Sequence, residues 1–465
     1  MDGKLDGWKE ISAFLNRPVR TLQRWRNKRG LPVFGAHDGP RSPVIAFKTD
    51  LRNWLRRSLL RADDSEETSP ELQLRNSVDI PESVDTRLSH QLLRRYYPDK
   101  ALRASGLFRF SFSVNGQRVS TNIATKGEWL GLKISIDERD HDRFPLHALS
   151  VSWPSTSVHE EAELREELNK RGTMFYNKPI YCLRAFAPHQ KQVAVFSLGQ
   201  YGDYKIQLGR LEEETTNALR NSDNKPDVAF YMRRARMQLR NRLLPDCSTV
   251  STFRRLCAGG TNVLLALRKP DHDGFAFFVK RRSKRVSTGR QLFSLLPSGM
   301  HQPTNKANAR FETSIAATVY RETYEELFGG QEVEVEDQHI APQWFMSKAP
   351  LRWISEHRDK VVTEIVSFGI NLVDGTYEFG VLVVIDDENY WSMFQDAMTP
   401  NREFDDSETP YFSTMDSDRL FMLLTDPYLA DTSSIALVEG LRRLNVLCPA
   451  RTKLPRLKLL LNTSL

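Results

Sequence analysis

The stretch 320–330, "YRETYEELFGG", places Glu322, Glu325 and Glu326 directly after Arg321. On a helical wheel Ala316, Tyr320, Thr323, Tyr324 and Leu327 share one face, and the three glutamates lie nearly opposite. Like charges at helical spacing repel by a few tenths of a kcal/mol per pair. The cluster is therefore either a solvated face or a place where something positive sits. The predicted helix covers 312–328. Ahead of it stand three short apolar strands, "TNVLLALRK", "GFAFFVKRR" and "QLFSLLPSG" (261–299), and a polar loop, "MHQPTNKANARFE" (300–312). After it come "VVTEIVSFGINLV", "TYEFGVLVVID" and an apolar helix, "SIALVEGLRRLN". A helix with one apolar stripe among such strands packs on a sheet and presents its acids to a cleft.

Arg321-Glu322, two residues, then Glu325-Glu326 resembles the core of the Nudix box. The resemblance spans about 258–447. It implies an α/β/α sandwich with a mixed sheet, magnesium held by Glu322, Glu325 and Glu326, and Arg321 orienting the box. In an active member Glu325 or Glu326 would serve catalysis, cleaving the pyrophosphate of a nucleoside diphosphate derivative. Carboxylate oxygens suit hard divalent cations, which neutralise pyrophosphate charge. The chain departs from the family pattern in three places. The upstream glutamate position holds Thr313, with Glu312 one residue early. Phe328 stands where glycine is expected, with Gly329 one residue late. Twelve residues rather than five separate Gly299 from Glu312. Glu312 is thus a candidate fourth acid, and the loop before the helix is rebuilt.

The wider chain has 465 residues, enough for about three domains. Its N-terminus, "MDGKLDGWKE", has no apolar run like that of a signal peptide. The longest apolar run, "FGVLVVI", is too short to span a bilayer. Cys182, Cys247, Cys257 and Cys448 show no metal-ribbon or disulfide spacing, which points to a reducing cytoplasm. The net charge of +7 is uneven. Residues 1–62 carry about +9 and the rest about −2, the mark of a basic module whose usual partner is nucleic acid.

In that module "WKEISAFL" (8–15) sets Trp8, Ile11, Phe14 and Leu15 at helical spacing. Asn16 then caps a second helix, with Pro18 in its first turn and Gly30 after its end. This helix buries Val19, Leu22 and Trp25 and exposes Arg17, Arg20, Gln23, Arg24, Arg26 and Lys28. "PVF" (32–34) and "VIAF" (44–47) read as strands flanking a Gly/Pro-rich tip with Arg41, and a third helix carries Leu51, Trp54 and Leu55. The segments "GWKEISAFLNRPVRTLQRW" and "AFKTDLRNWL" resemble the winged helix-turn-helix of MerR-type and excisionase-like proteins. That resemblance implies phosphate contacts from the basic residues, base readout by Gln23 with Arg20 or Arg24, and double-stranded DNA as partner.

The expected organisation is an α+β multidomain chain. It comprises a winged helix-turn-helix (1–61), a linker with a short helix (62–95), an α+β region (96–257), the Nudix-like region (258–447) and a basic, apolar tail (448–465). In 96–257, "LFRFSFSV" followed by Asn115-Gly116 signals a hairpin, and "PDVAFYMRRARMQLRNRLL" (226–244) reads as a helix with a solvated basic face. Two functions stay open. One is a DNA-binding transcriptional regulator sensing a nucleotide-type small molecule, with a homodimer spacing its recognition helices along DNA. The other is a magnesium-dependent pyrophosphohydrolase.

Overall fold

The computed structural model describes residues 4–15, 19, 22, 33, 44–47, 51, 86–147, 158–170, 177–220, 232–253, 255–270, 274–282, 292–330, 340–398 and 411–460. The chain divides into two compact units, Met1–Pro81 and Glu82–Leu465.

In the first unit, strand β1 (Lys4–Asp6) leads into helix α1 (Gly7–Leu15) and pairs antiparallel with β2 (Ile45–Phe47). Leu5, Trp8, Ile11, Leu22, Val33, Val44, Ala46 and Leu51 form one core, with Phe14 and Val19 against it. The apolar spacing of "WKEISAFL" thus buries its helix as expected. Strand "VIAF" forms, and its partner among the described residues is the N-terminal Lys4–Asp6; Val33 of "PVF" is buried outside any strand. Arg17, Arg20, Gln23, Arg24, Arg26, Lys28 and Arg41 lie outside the described residues, as does the expected linker over 62–85.

The second unit is built on one large mixed sheet. Its strands are β3 (Phe108–Val114), β4 (Gln117–Thr125), β5 (Leu130–Ser135), β8 (Gly259–Arg268), β9 (Phe275–Arg281), β10 (Phe293–Leu296), β11 (Ser298–Met300), β12 (Val361–Asn371), β13 (Tyr377–Ile385), β14 (Tyr411–Ser413) and β15 (Leu457–Leu459). Strands β6 (Pro179–Phe186) and β7 (Ala194–Gln200) form a separate hairpin. The main path runs β10-β9-β8-β13-β12-β4-β3-β15, with β11 on β8, β14 on β9 and β5 on β12. Only β8 and β13 among the named pairs run parallel, in register from Gly259↔Tyr377 to Leu267↔Ile385. These two central strands are buried almost throughout because both sheet faces are covered.

On one face Val263, Leu265, Phe379, Val381 and Val383 pack with Ile315, Ala316, Val319 and Leu327 of helix α3 (Ile315–Leu327). On the other, Leu264, Ala266, Leu382 and Val384 meet Ile435, Leu437, Val438 and Leu441 of helix α4 (Asp431–Leu447). Helix α4 comes close enough that a Cβ on Gly380 would lie 3.0 Å from Ala436 Cα.

The boundary expected at 257/258 runs through this sheet. Strands β4 and β5 both pair with β12, so residues from 96–257 complete the sheet of 258–447. The "NG" hairpin forms as its turn chemistry requires: Asn115 and Gly116 have φ of 49° and 91°, and Val114 faces Gln117. The tail, whose sequence left a last helix or a loose end open, instead supplies β15 as a partner of β3. The expected strand "QLFSLLPSG" is two strands, because Pro297 has no N–H for a ladder.

The basic helix at 226–244 also differs from expectation. Among its described residues it breaks at Met237 before helix α2 (Gln238–Leu243). Arg240 is fully buried rather than solvated. Its guanidinium donates to Leu372 O at 2.8 Å, Leu211 O at 3.3 Å, Thr215 Oγ1 at 3.1 Å and Tyr97 Oη at 3.2 Å, and also to Val373 O. Wheel patterns cannot distinguish a basic face in water from a guanidinium that satisfies buried carbonyls.

Residues 258–465 made alone would expose the edge of β12 that β4 and β5 cover. Such a fragment is expected to show no cooperative thermal transition, whereas 82–465 does; equal cooperative melting of both fragments would contradict the shared sheet.

Candidate functional site

Helix α3 begins where Ser314 caps it, its side chain accepting from Ala316 N. Every residue of the helix except Tyr324 is buried. Burial corrects the expected picture of acids facing an open cleft. Glu322, Glu325 and Glu326 are only 8%, 6% and 2% exposed, and Arg321 is 4% exposed. The face opposite the apolar stripe is therefore enclosed, and its charges must be compensated locally.

Arg321 supplies that compensation. Its Nη2 lies 2.7 Å from Glu322 Oε1, and its Nε lies 3.8 Å from Glu325 Oε2. It also donates to Met300 O at 3.3 Å and to Gln302 O. Burial alone would lower its pKa, but Glu322 and Glu325 more than reverse this and hold the guanidinium charge firmly. Glu326 accepts the backbone N–H of Ser298 at 2.7 Å. Glu322 fits only because Gly299 has no side chain: a Cβ there would lie 2.1 Å from Glu322 Cδ. Gly299 and Glu322, both picked out in the sequence, thus do meet.

Glu312 does not join them. Its Oε2 accepts Thr304 N at 2.6 Å, and its Oε1 accepts Thr304 Oγ1 at 3.0 Å and Gln343 N at 2.9 Å. Gln343 is held at φ 56°, and its side chain donates to Phe311 O and Glu138 O. Glu312 is the tie that folds the rebuilt loop on itself. With three hydrogen-bond donors on it, its oxygens are turned to the loop, although its charge still acts on Arg321.

His301 was missed by sequence reasoning because a lone histidine carries no spacing signal. It is fully buried between the rings of Tyr181, Phe196 and Tyr377. Its Nε2 lies 3.1 Å from Thr313 O, which only accepts, so Nε2 bears the proton. Its Nδ1 lies 2.9 Å from Tyr377 Oη. Tyr181 N donates to His301 O at 3.1 Å and Tyr181 Oη donates to Ala309 O at 2.7 Å. Strand β6, from the region with no role in the sequence reading, therefore clamps both ends of the loop that leads to α3.

As placed, these residues do not fit a magnesium cage. Arg321 engages Glu322 and Glu325, Ser298 engages Glu326, and Glu312 is turned to Thr304 and Gln343. Among the described residues no three His, Cys, Asp or Glu side chains gather as a cation-holding group. The chain matches no protein-family model and no curated protein. Among the described residues no helix is long and apolar enough to cross a membrane.

Burial, with Arg321 nearby, lowers the His301 pKa to about 3 from its ordinary 6.5. A folded-state pKa below the unfolded one gives stability that is present above about pH 6.5 and lost as pH falls toward 3. On acidification from about pH 7 to 4.5, the wild type should lose about 2–3 kcal/mol more stability than His301→Gln. Equal losses in denaturant titrations at the two pH values would show that His301 takes up a proton as readily in the fold as in the unfolded chain.

Proposed function

We propose that the chain is a DNA-binding transcriptional regulator whose second unit senses a nucleotide-type ligand without turning it over. The observation that carries the choice of sensor over enzyme is Glu312. The resemblance to the Nudix box needs an upstream glutamate beside the helix acids, and here that side chain holds Thr304 and Gln343 instead. The order of the parts suits a regulator: a basic segment of about +9 charge over residues 1–62, within a small first unit, ahead of a much larger body. Differential ligand affinity for two arrangements of that body would change DNA affinity.

The full chain should bind a random-sequence duplex at low salt, with affinity falling steeply as salt rises. The double variant Arg20→Ala/Arg24→Ala should bind at least about ten-fold more weakly. ADP-ribose, used as the probe, should shift DNA affinity by about five-fold or more while remaining intact. Absence of DNA binding at low salt sinks the regulator. Magnesium-dependent cleavage of ADP-ribose at several turnovers per minute or faster would replace the sensor by the hydrolase.

A further inference from the structure

A run of buried polar side chains crosses the core next to the carboxylate helix. Ser298 Oγ lies 3.1 Å from Ser294 Oγ, which lies 3.2 Å from Ser433 Oγ. Ser433 Oγ donates to Asn262 Oδ1 at 2.8 Å, and Asn262 Nδ2 donates to Glu378 Oε2 at 3.1 Å. Each hydroxyl has one proton to give. Once Ser433 gives its proton to Asn262, Ser294 must donate to Ser433 and Ser298 to Ser294. The run is thus polarised from Ser298 toward Glu378. At its start the Ser298 N–H holds Glu326.

At the far end hydrogen counting places a proton. Thr376 Oγ1 sits 2.7 Å from Asp374 Oδ1 and 2.9 Å from Glu378 Oε1. One hydroxyl cannot donate to both, so one carboxyl must donate to Thr376. Asp374 Oδ1 also accepts the Thr376 backbone N–H at 3.0 Å, and Tyr204 Oη lies 3.4 Å from Oδ2. Burial pushes the Asp374 carboxyl up as well, but these donors and Arg240 oppose it, which favours charge on Asp374 and leaves the proton on Glu378. The charged and titratable groups facing Glu378 are Asp374 in the turn before β13, Arg282 just after β9, Tyr204 on the helix Tyr201–Ile206, and Tyr377 beside it. Strand β8 offers it only the amide of Asn262.

We propose that Glu378 is kept as a neutral carboxylic acid and that losing its proton, which takes a donor from Thr376 and strengthens the pull of Oε2 on Asn262, shifts the polar run leading to Ser298, whose N–H holds Glu326: a protonation switch on the ligand site. The switch rests on the sensor reading above; the proton assignment does not. Burial and Asp374 push the Glu378 pKa up to about 8, against Thr376, Asn262 and Arg282. A carboxyl whose folded pKa is raised gives stability that is full below its unfolded value and is lost as pH rises toward the folded value.

Glutamine reproduces the neutral acid: its amide donates to Thr376 and its carbonyl accepts from Asn262. Thermal midpoints of the full-length wild type and Glu378→Gln, followed from about pH 5 to 9, test the assignment. The difference, variant minus wild type, should climb by about 5 °C up to about pH 8 and then level off. A flat or falling difference overturns the proposal. If the variant does not fold, infrared spectra of the wild type decide: a buried carboxylic-acid band present near pH 7 and lost near pH 9.5 is expected, and its absence at neutral pH overturns the proposal. With ADP-ribose as probe, the midpoint gain of the wild type should shrink above about pH 8 while that of Glu378→Gln persists. No gain in either protein at any pH overturns the switch and the ligand reading together, while the melts and the infrared band judge the proton assignment separately.

Discussion

A guanidinium taken out of water must be met by acceptors on nearly every side, or the fold bears an uncompensated charge of several kcal/mol. Arg321 meets that requirement with two carboxylates and two main-chain carbonyls. Much else follows from it. The carbonyls of Met300 and Gln302 must turn inward, which fixes the chain just after β11. Glu322 must lie flat on Gly299, which restricts that position to glycine. Glu326 then falls against Ser298, joining the helix acids to the polar run through Asn262 and Ser433.

The loop between Gly299 and Glu312 is long because it also serves as a docking surface. Strand β6 bonds to His301 and Ala309, and aromatic rings close over the histidine. The sheet extends beyond β12 through β4, β3 and β15. What the sequence presents as a separate region of unknown role thus completes the sheet and clamps the site loop. Enclosure of the acids and the added strands belong to one design, in which the carboxylate helix is buried inside a larger body.

Local signals in the sequence were good guides to local structure. The alternation of "LFRFSFSV", the Asn115-Gly116 turn, the central apolar strands and the first apolar helix all appear where their periods place them. The meeting of Gly299 with Glu322 was legible only through the resemblance. What escaped was the state of each charge. A wheel shows which side chains share a face, but not whether water covers that face, so Arg240, read on a solvated face, and Glu322, read in a cleft, are both buried. Glu312 was drawn toward the helix acids by its closeness in sequence, yet Thr304 and Gln343 are nearer in space. Glu378 and Asn262 lie in strands whose apolar neighbours hide them.

The central claim is that Arg321 and Glu322 form a buried pair whose members stabilise the fold only together. A double-mutant cycle with Arg321→Met, Glu322→Gln and the double variant, each unfolded in urea, measures it most directly. The account predicts a coupling of about 2–4 kcal/mol, with the double variant more stable than Arg321→Met alone. Additive effects, with coupling within about 0.5 kcal/mol of zero, would mean that the two charges are separately solvated and that the enclosed site does not exist.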